Sequence, residues 1–294
     1  MSSSPLSLAR KPQRRVPVPP RSTGTARQVS NPGRATPWRT ALGGVVVGTL
    51  AALLWFAPAS WLAGAMWSLS DGHVVLAAPQ GTVWNGSARL EISGGSGSTD
   101  ATALPGRVDW QLRPSWTGMA ARLDALCCTP QGLTVQVSPR WGGVQVRLAD
   151  GASHWPAALL SGLGTPWNTL QPEGDLQLRS QGLGLEVVAG RVSISGAAQV
   201  EARQMSSRLS TLRPMGSYRF SVTGGTAAGG DGVTRLQLET LEGSLLLSGS
   251  GQWAGSRLRF NGVATAQPDR EAALQNLLNI IGRRDGARSL ITVG

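Results

Sequence analysis

The run LTVQVSPRWGGVQVRL, Leu133 to Leu148, decides the fold. Leu133, Val135 and Val137 alternate with Thr134, Gln136 and Ser138; past Gly142-Gly143, Val144, Val146 and Leu148 alternate with Gln145 and Arg147. Successive side chains of a strand point to opposite faces, so each half presents one apolar and one polar side. The glycine pair punctuates the two halves as a turn. Such a unit belongs to an antiparallel sheet with one face on a core and one in water.

The same period recurs outward from this hairpin. Val108, Trp110 and Leu112, Leu176 and Leu178, Val192 and Ile194, Leu236 and Leu238, and Phe260 and Ala264 each alternate with polar residues. Gly94–Gly97, Gly224-Gly225 and Gly229–Gly232 read as further turns. With 39 glycines and only 15% charged residues, the pattern predicts about a dozen short strands joined by hairpins. The fold class is mainly β: a curved antiparallel sheet, meander or open-barrel-like, over residues 71–294. The phrases Gly81-Thr-Val-Trp84, Gly106-Arg-Val-Asp-Trp110 and Gly251-Gln-Trp253 share a strand start in which Gly opens a turn and Trp covers the apolar face.

Two helices interrupt the strands. One is predicted over His154–Leu163, closed by Gly162, Gly164 and Pro166. The other starts at Pro268-Asp269, with Leu274, Leu277, Leu278 and Ile281 at i, i+3, i+4 and i+7 along one stripe. That stripe either seals one end of the core or offers a docking face to another protein.

Before the strands, no charged residue occurs from Thr40 to Ser70. Ala41–Leu62 is the most apolar part, and a hydrocarbon core of about 30 Å needs about 20 such residues. A single-pass transmembrane helix is therefore expected over 41–65, with Leu42, Val46, Leu50, Leu54 and Trp61 among its anchor residues and Trp38, Trp55, Trp61 and Trp67 near the interfaces. A retained anchor fits better than a cleaved leader, because the run is too long and is preceded by 40 residues.

The net charge of +11 would suggest nucleic acid, but its distribution argues against that. Residues 1–40 hold eight basic side chains and no acid; the remaining 19 basic and 16 acidic residues leave +3. The charge is a topology signal. It places a disordered basic tail, residues 1–40, in the cytoplasm and the β-rich domain in the periplasm of a bacterial inner membrane.

Catalytic chemistry is missing. His73 and His154 have no metal-ligand spacing, the acids form no close pair, and neither a phosphate-cradling loop nor a nucleophile elbow is present. No cofactor is called for. The two cysteines, Cys127 and Cys128, are adjacent. They are either two free thiols on opposite faces of a strand end or a vicinal disulfide, which an oxidising compartment permits.

Several phrases in order resemble the type II secretion system protein N family of Gram-negative bacteria. They are Pro79-Gln-Gly81-Thr-Val-Trp84-Asn-Gly86, Gly106–Pro114, Leu163-Gly164-Thr-Pro166-Trp167-Asn-Thr-Leu170-Gln-Pro172-Glu-Gly174, Gly249–Phe260 and Leu277-Leu278-Asn279-Ile280-Ile281-Gly282. The resemblance implies a non-enzymatic accessory subunit of the machine that moves folded proteins from periplasm to exterior. Its partners would be other secretion-system components and the inner membrane; no catalytic residue carries over. A second reading is an inner-membrane-anchored, lipid-handling or lipid-bridging protein whose sheet offers an apolar groove to acyl chains.

Overall fold

A computed structural model describes residues 38–225, 233–254 and 257–294. The expected disordered tail, 1–40, lies almost wholly outside them. The chain divides into two compact units, residues 1–49 and 50–294, and the sheet belongs to the second.

The apolar run does not form one helix over 41–65. It is split between α1 (Trp38–Trp55) and α2 (Ala59–Leu69). Pro58 is the cause: it has no N–H to continue the helical ladder, and it sits extended at φ −68° and ψ 149°. Among the described residues no helix is long and apolar enough to cross a membrane.

The strands of the first half are β1 (Val74–Gly81), β2 (Asn85–Ser93), β3 (Ala101–Ala103), β4 (Val108–Ser115), β5 (Gly118–Ala125), β6 (Leu133–Arg140), β7 (Gly143–Leu148) and β8 (Gly151–Pro156). A 3-10 helix (Ala157–Leu163) and α3 (Trp167–Leu170) lead to the long pair β9 (Glu173–Val188) and β10 (Arg191–Ser206). Then come β11 (Gly216–Thr223), β12 (Thr234–Gly243), β13 (Leu245–Ala254), β14 (Arg257–Ala266), α4 (Glu271–Ile281), β15 (Arg283–Asp285) and β16 (Arg288–Val293). They make one 16-stranded sheet, ordered β1-β2-β4-β5-β6-β7-β9-β10-β11-β12-β13-β14-β16-β15, with β3 beside β2 and β8 beside β9. The sheet is open, a meander whose edges are β1 and β15.

It has more strands than the expected dozen because β3 and β15, three residues each, are too short to show an alternation. His154 is also not helical. It pairs with Gln177 in β8, and its N–H donates to the Cys128 carbonyl at 2.7 Å, so helical turns begin only after Pro156.

Register keeps one face apolar across the whole sheet. Trp110 stands opposite Leu123, Val137 opposite Val146, Val146 opposite Leu185, Leu185 opposite Ile194, Phe220 opposite Leu238 and Ala264 opposite Leu247. Along β9 the apolar positions change parity, from Leu176 and Leu178 to Leu185 and Val187. An extra residue at Gly182–Leu183 absorbs the change: Ser195 pairs with Gly184 but Ala197 pairs with Gln181. Gly182 has φ +58° and Gly196 φ +74°, and a β-carbon on Gly196 would collide with the Gly182 carbonyl. Asp150, in the link between β7 and β8, accepts the Gly182 N–H, so the neighbour of β9 changes from β7 to β8 where β9 bulges.

Three covers close parts of the apolar face. Ala59 of α2 packs with Ala88 and Trp110 of the sheet; Leu159 of the 3-10 helix packs with Leu104, Val108, Ala125 and Cys128. The largest core gathers Leu170, Met205, Met215, Tyr218 and Leu245 under Leu274, Leu277 and Leu278 of α4. Those three leucines are 0, 2 and 0% exposed, with Ile281 partly buried beside them. The stripe of α4 thus faces the chain's own sheet.

Truncating Leu278 to Ala should cost about 2–5 kcal/mol, because it removes a fully buried side chain and leaves a cavity. Ile280→Ala, at a side chain 40% exposed, should cost far less; urea unfolding midpoints would compare them. The Tyr218 hydroxyl is buried with no hydrogen-bond partner, and burial pushes its phenol above the ordinary value. An unpaired buried hydroxyl costs about 1–3 kcal/mol, so Tyr218→Phe should leave the midpoint unchanged or raise it.

Candidate interaction surfaces

The turn between β1 and β2 grips the break between the helices. The Trp84 indole N–H donates to the Leu54 carbonyl at 2.8 Å, and the Val83 N–H donates to the Ala57 carbonyl at 2.9 Å. Leu54 supplies one of the last carbonyls of α1, which have no partner inside the helix. Pro58 bridges Thr82, and the Trp110 indole donates to the Val83 carbonyl at 3.0 Å. The recurring strand start, a Gly followed shortly by a Trp, therefore has two uses here. Trp110 lies in the core at 3% exposure, whereas Trp84 turns out of the sheet to hold the helix end.

Of the expected anchor residues, Leu42, Val46, Leu50 and Leu54 lie exposed on α1 and Trp61 lies exposed on α2. The stripe of α4 is far along the sheet, against β14, β15 and β16. Neither group joins the other in a common site.

Cys127 and Cys128 are disulfide-bonded, with S–S 2.12 Å. They occupy the link between β5 and β6, where the Thr129 hydroxyl accepts the Ala125 N–H at 2.7 Å. Cys128 is 1% exposed and packs in the core under the 3-10 helix, while Cys127 is exposed.

On the opposite, polar face, strand pairing assembles a charged row that periodicity alone does not reveal. Glu201, Arg219 and Glu239 stand side by side on β10, β11 and β12. Arg203 Nη2 lies 2.6 Å and Arg219 Nη2 3.1 Å from the Glu201 carboxylate, and Arg219 Nη1 lies 2.9 Å from Glu239. Glu201 is only 5% exposed because long arginine stems lie over it, not because it enters the core. Arg203 first, then Arg219, hold its carboxyl below the ordinary glutamate value. Among the described residues no group of three or more His, Cys, Asp or Glu could hold a metal ion.

Two side chains stand out that pattern reading had not singled out. Trp116 and Trp141 are 106% and 101% exposed, at the tips of the β4–β5 and β6–β7 hairpins. Their signal in the sequence was a Trp inside a glycine-marked turn, outside any apolar alternation.

A carboxyl lowered in the folded state stabilises it fully above its unfolded value, and this contribution is lost as pH falls through the lowered folded value. Wild-type stability should thus begin to decline below about pH 4.3, the ordinary glutamate value. Glu201→Gln should be less stable at neutral pH and show a flatter acid limb in unfolding measured against pH.

Comparison with known families now bears on these surfaces. Neither the search of curated proteins nor that of solved structures returns a match. The family model described as "Type II secretion system (T2SS), protein N" matches residues 72–291, from just after α2 into β16. It covers nearly the whole sheet, the 3-10 helix and α4, but not α2. The family is one of structural secretion-system components, which work with the other components of that machine. This chain belongs to the type II secretion system protein N family.

Proposed function

We propose that this protein is a non-enzymatic accessory subunit of type II secretion, held at the inner membrane by the apolar run 41–65 as a single-pass anchor. Its N-terminus would lie in the cytoplasm and residues 71–294 in the periplasm, where the sheet meets other secretion-system components. The family match over 72–291 is the observation that carries the secretion role. The anchoring is supported by the eight basic side chains and no acid before Ala41, and by the disulfide, which suits an oxidising compartment.

The hydrogen bonds from Trp84 and Val83 tie Leu54 and Ala57, within that run, to the β1–β2 turn. At 1.5 Å per residue α1 is about 27 Å long, against a hydrocarbon core of about 30 Å. Local thinning of the bilayer around a short helix covers such a mismatch at modest cost. No observation favours a lipid-handling role over this reading.

Deletion of the coding region should leave secreted enzymes in the periplasm, measured by fractionating culture and cells. Unchanged secretion together with altered outer-membrane lipid would defeat the secretion role. The anchor is checked separately: the full chain should stay in the membrane pellet after alkaline carbonate extraction. A periplasm-dependent reporter should be active when fused after Gly294 and inactive when fused within residues 1–37.

A further inference from the structure

Successive hairpins turn back at alternate ends of a meander, so one end collects the turns after β1, β4, β6 and β9. Their register fixes how level these turns are. Met119 pairs with Val137 and Ser115 with Gly118, which puts Trp116 beside Arg140; Arg140 in turn pairs with Gly143 around Trp141. The β9–β10 turn lies alongside, where the Ala189 N–H donates to the Gly142 carbonyl at 3.3 Å. On the other side, the Leu112 N–H donates to the Trp84 carbonyl at 2.7 Å, so the β1–β2 turn lies at the same end, level with Leu112 and short of the β4–β5 tip. Trp55, Phe56, Trp84, Leu112 and Pro114 line one cleft there.

This end is aromatic and basic. Trp55 and Phe56 are each 73% exposed, and Trp116 and Trp141 are exposed completely. An indole carries about 150–250 Å² of apolar surface, and this chain buries Trp110 in its core but leaves these two in water. Neighbouring strands are about 4.8 Å apart, so the two tips stand about 10 Å from each other. The stretches 80–87, 110–118, 138–144 and 187–192 contain Arg113, Arg140 and Arg191 and no acidic residue. The opposite end of these strands carries Leu126 as its lone fully exposed large apolar side chain among the described residues.

We propose that the end bearing Trp116 and Trp141 rests on the surface of a lipid bilayer. The two indoles sit in the interface between headgroups and acyl chains, the zone that tryptophan prefers. Arg113, Arg140 and Arg191 meet anionic headgroups, and Trp55-Phe56 enters the same interface from the last turn of α1. This rests on the reading of the protein as a membrane-attached envelope component, but it does not require that residues 41–65 span the bilayer. The meander would then stand with its strands running away from the membrane, and its polar face and far end would be left to protein partners.

The test uses the full chain, with Cys127 and Cys128 oxidised, reconstituted in phosphatidylethanolamine–phosphatidylglycerol vesicles. An environment-sensitive dye is placed singly by Trp116→Cys, Trp141→Cys, Gln131→Cys at the far end, or Val47→Cys in α1. Headgroup-level nitroxide lipids should quench the dyes at 116 and 141 and spare the one at 131, and nitroxides on the acyl chains report on Val47, midway along α1. If 116 and 141 are as water-exposed as 131, the proposal is overturned, and quenching at Val47 alone would then preserve the anchor without the docking. Quenching at 116 and 141 with none at Val47 would leave surface docking standing and remove the anchor. Protection of 116 and 141 only after other secretion-system proteins are added would assign this end to a protein and overturn the proposal. Fluorotryptophan incorporated into the unlabelled chain, read against the same nitroxide lipids, gives the same answer without substituting either tip.

Discussion

Every pairing in the sheet is antiparallel, so the two-residue period of side-chain direction must stay in phase from β1 to β15. A slip of one residue in any pair would turn the apolar set of all later strands toward water. Most pairs keep phase through short turns such as that after Arg140. Shifts occur in β1, near the end of β10 and between β11 and β12, and midway along the sheet in β9, where the sequence itself changes parity and the bulge at Gly182–Leu183 restores it. Gly182, Gly196 and Asp150 meet there because an extra residue needs left-handed backbone, close approach and a partner for the displaced N–H. The coherence of the two halves depends on that joint.

A sheet this wide with one apolar face requires covers, and the chain supplies them from its connections. Each cover is local: α2 over Trp110 and Ala88, the 3-10 helix over Leu104 and Val108, and α4 over Leu245 and Ala264. The first cover follows α1 in the chain, across Pro58. The hydrogen bonds from Trp84 and Val83 therefore link whatever holds α1 to the first core of the sheet. The polar face has a different organisation. Its row of Glu201, Arg219 and Glu239 runs across strands, so it reinforces register rather than burying surface.

Outside the cores, different side chains mark different directions of the sheet. Trp55, Phe56, Trp116 and Trp141 lie at one end of the strands, the Glu201–Arg219–Glu239 row lies on one face, and the α4 leucines face inward. The protein presents distinct surfaces in distinct directions from a single sheet.

Composition and periodicity by themselves determined a mainly antiparallel β domain, its strand segments, the α4 stripe and the concentration of charge before Ala41. These are local properties: alternation, turn residues and charge can be read within a few residues of chain. The family resemblance was legible too, because it rests on short phrases in order. Tertiary structure alone decided which strands are neighbours, and with that the Glu201–Arg219–Glu239 row, the level hairpin tips of Trp116 and Trp141, and the inward direction of the α4 leucines. It also supplied, on Trp84 and Val83 nearly thirty residues further along, the donors for carbonyls left free where Pro58 divides the apolar run. Contacts at that separation depend on register, and register is set by the sum of all pairings, not by any one segment.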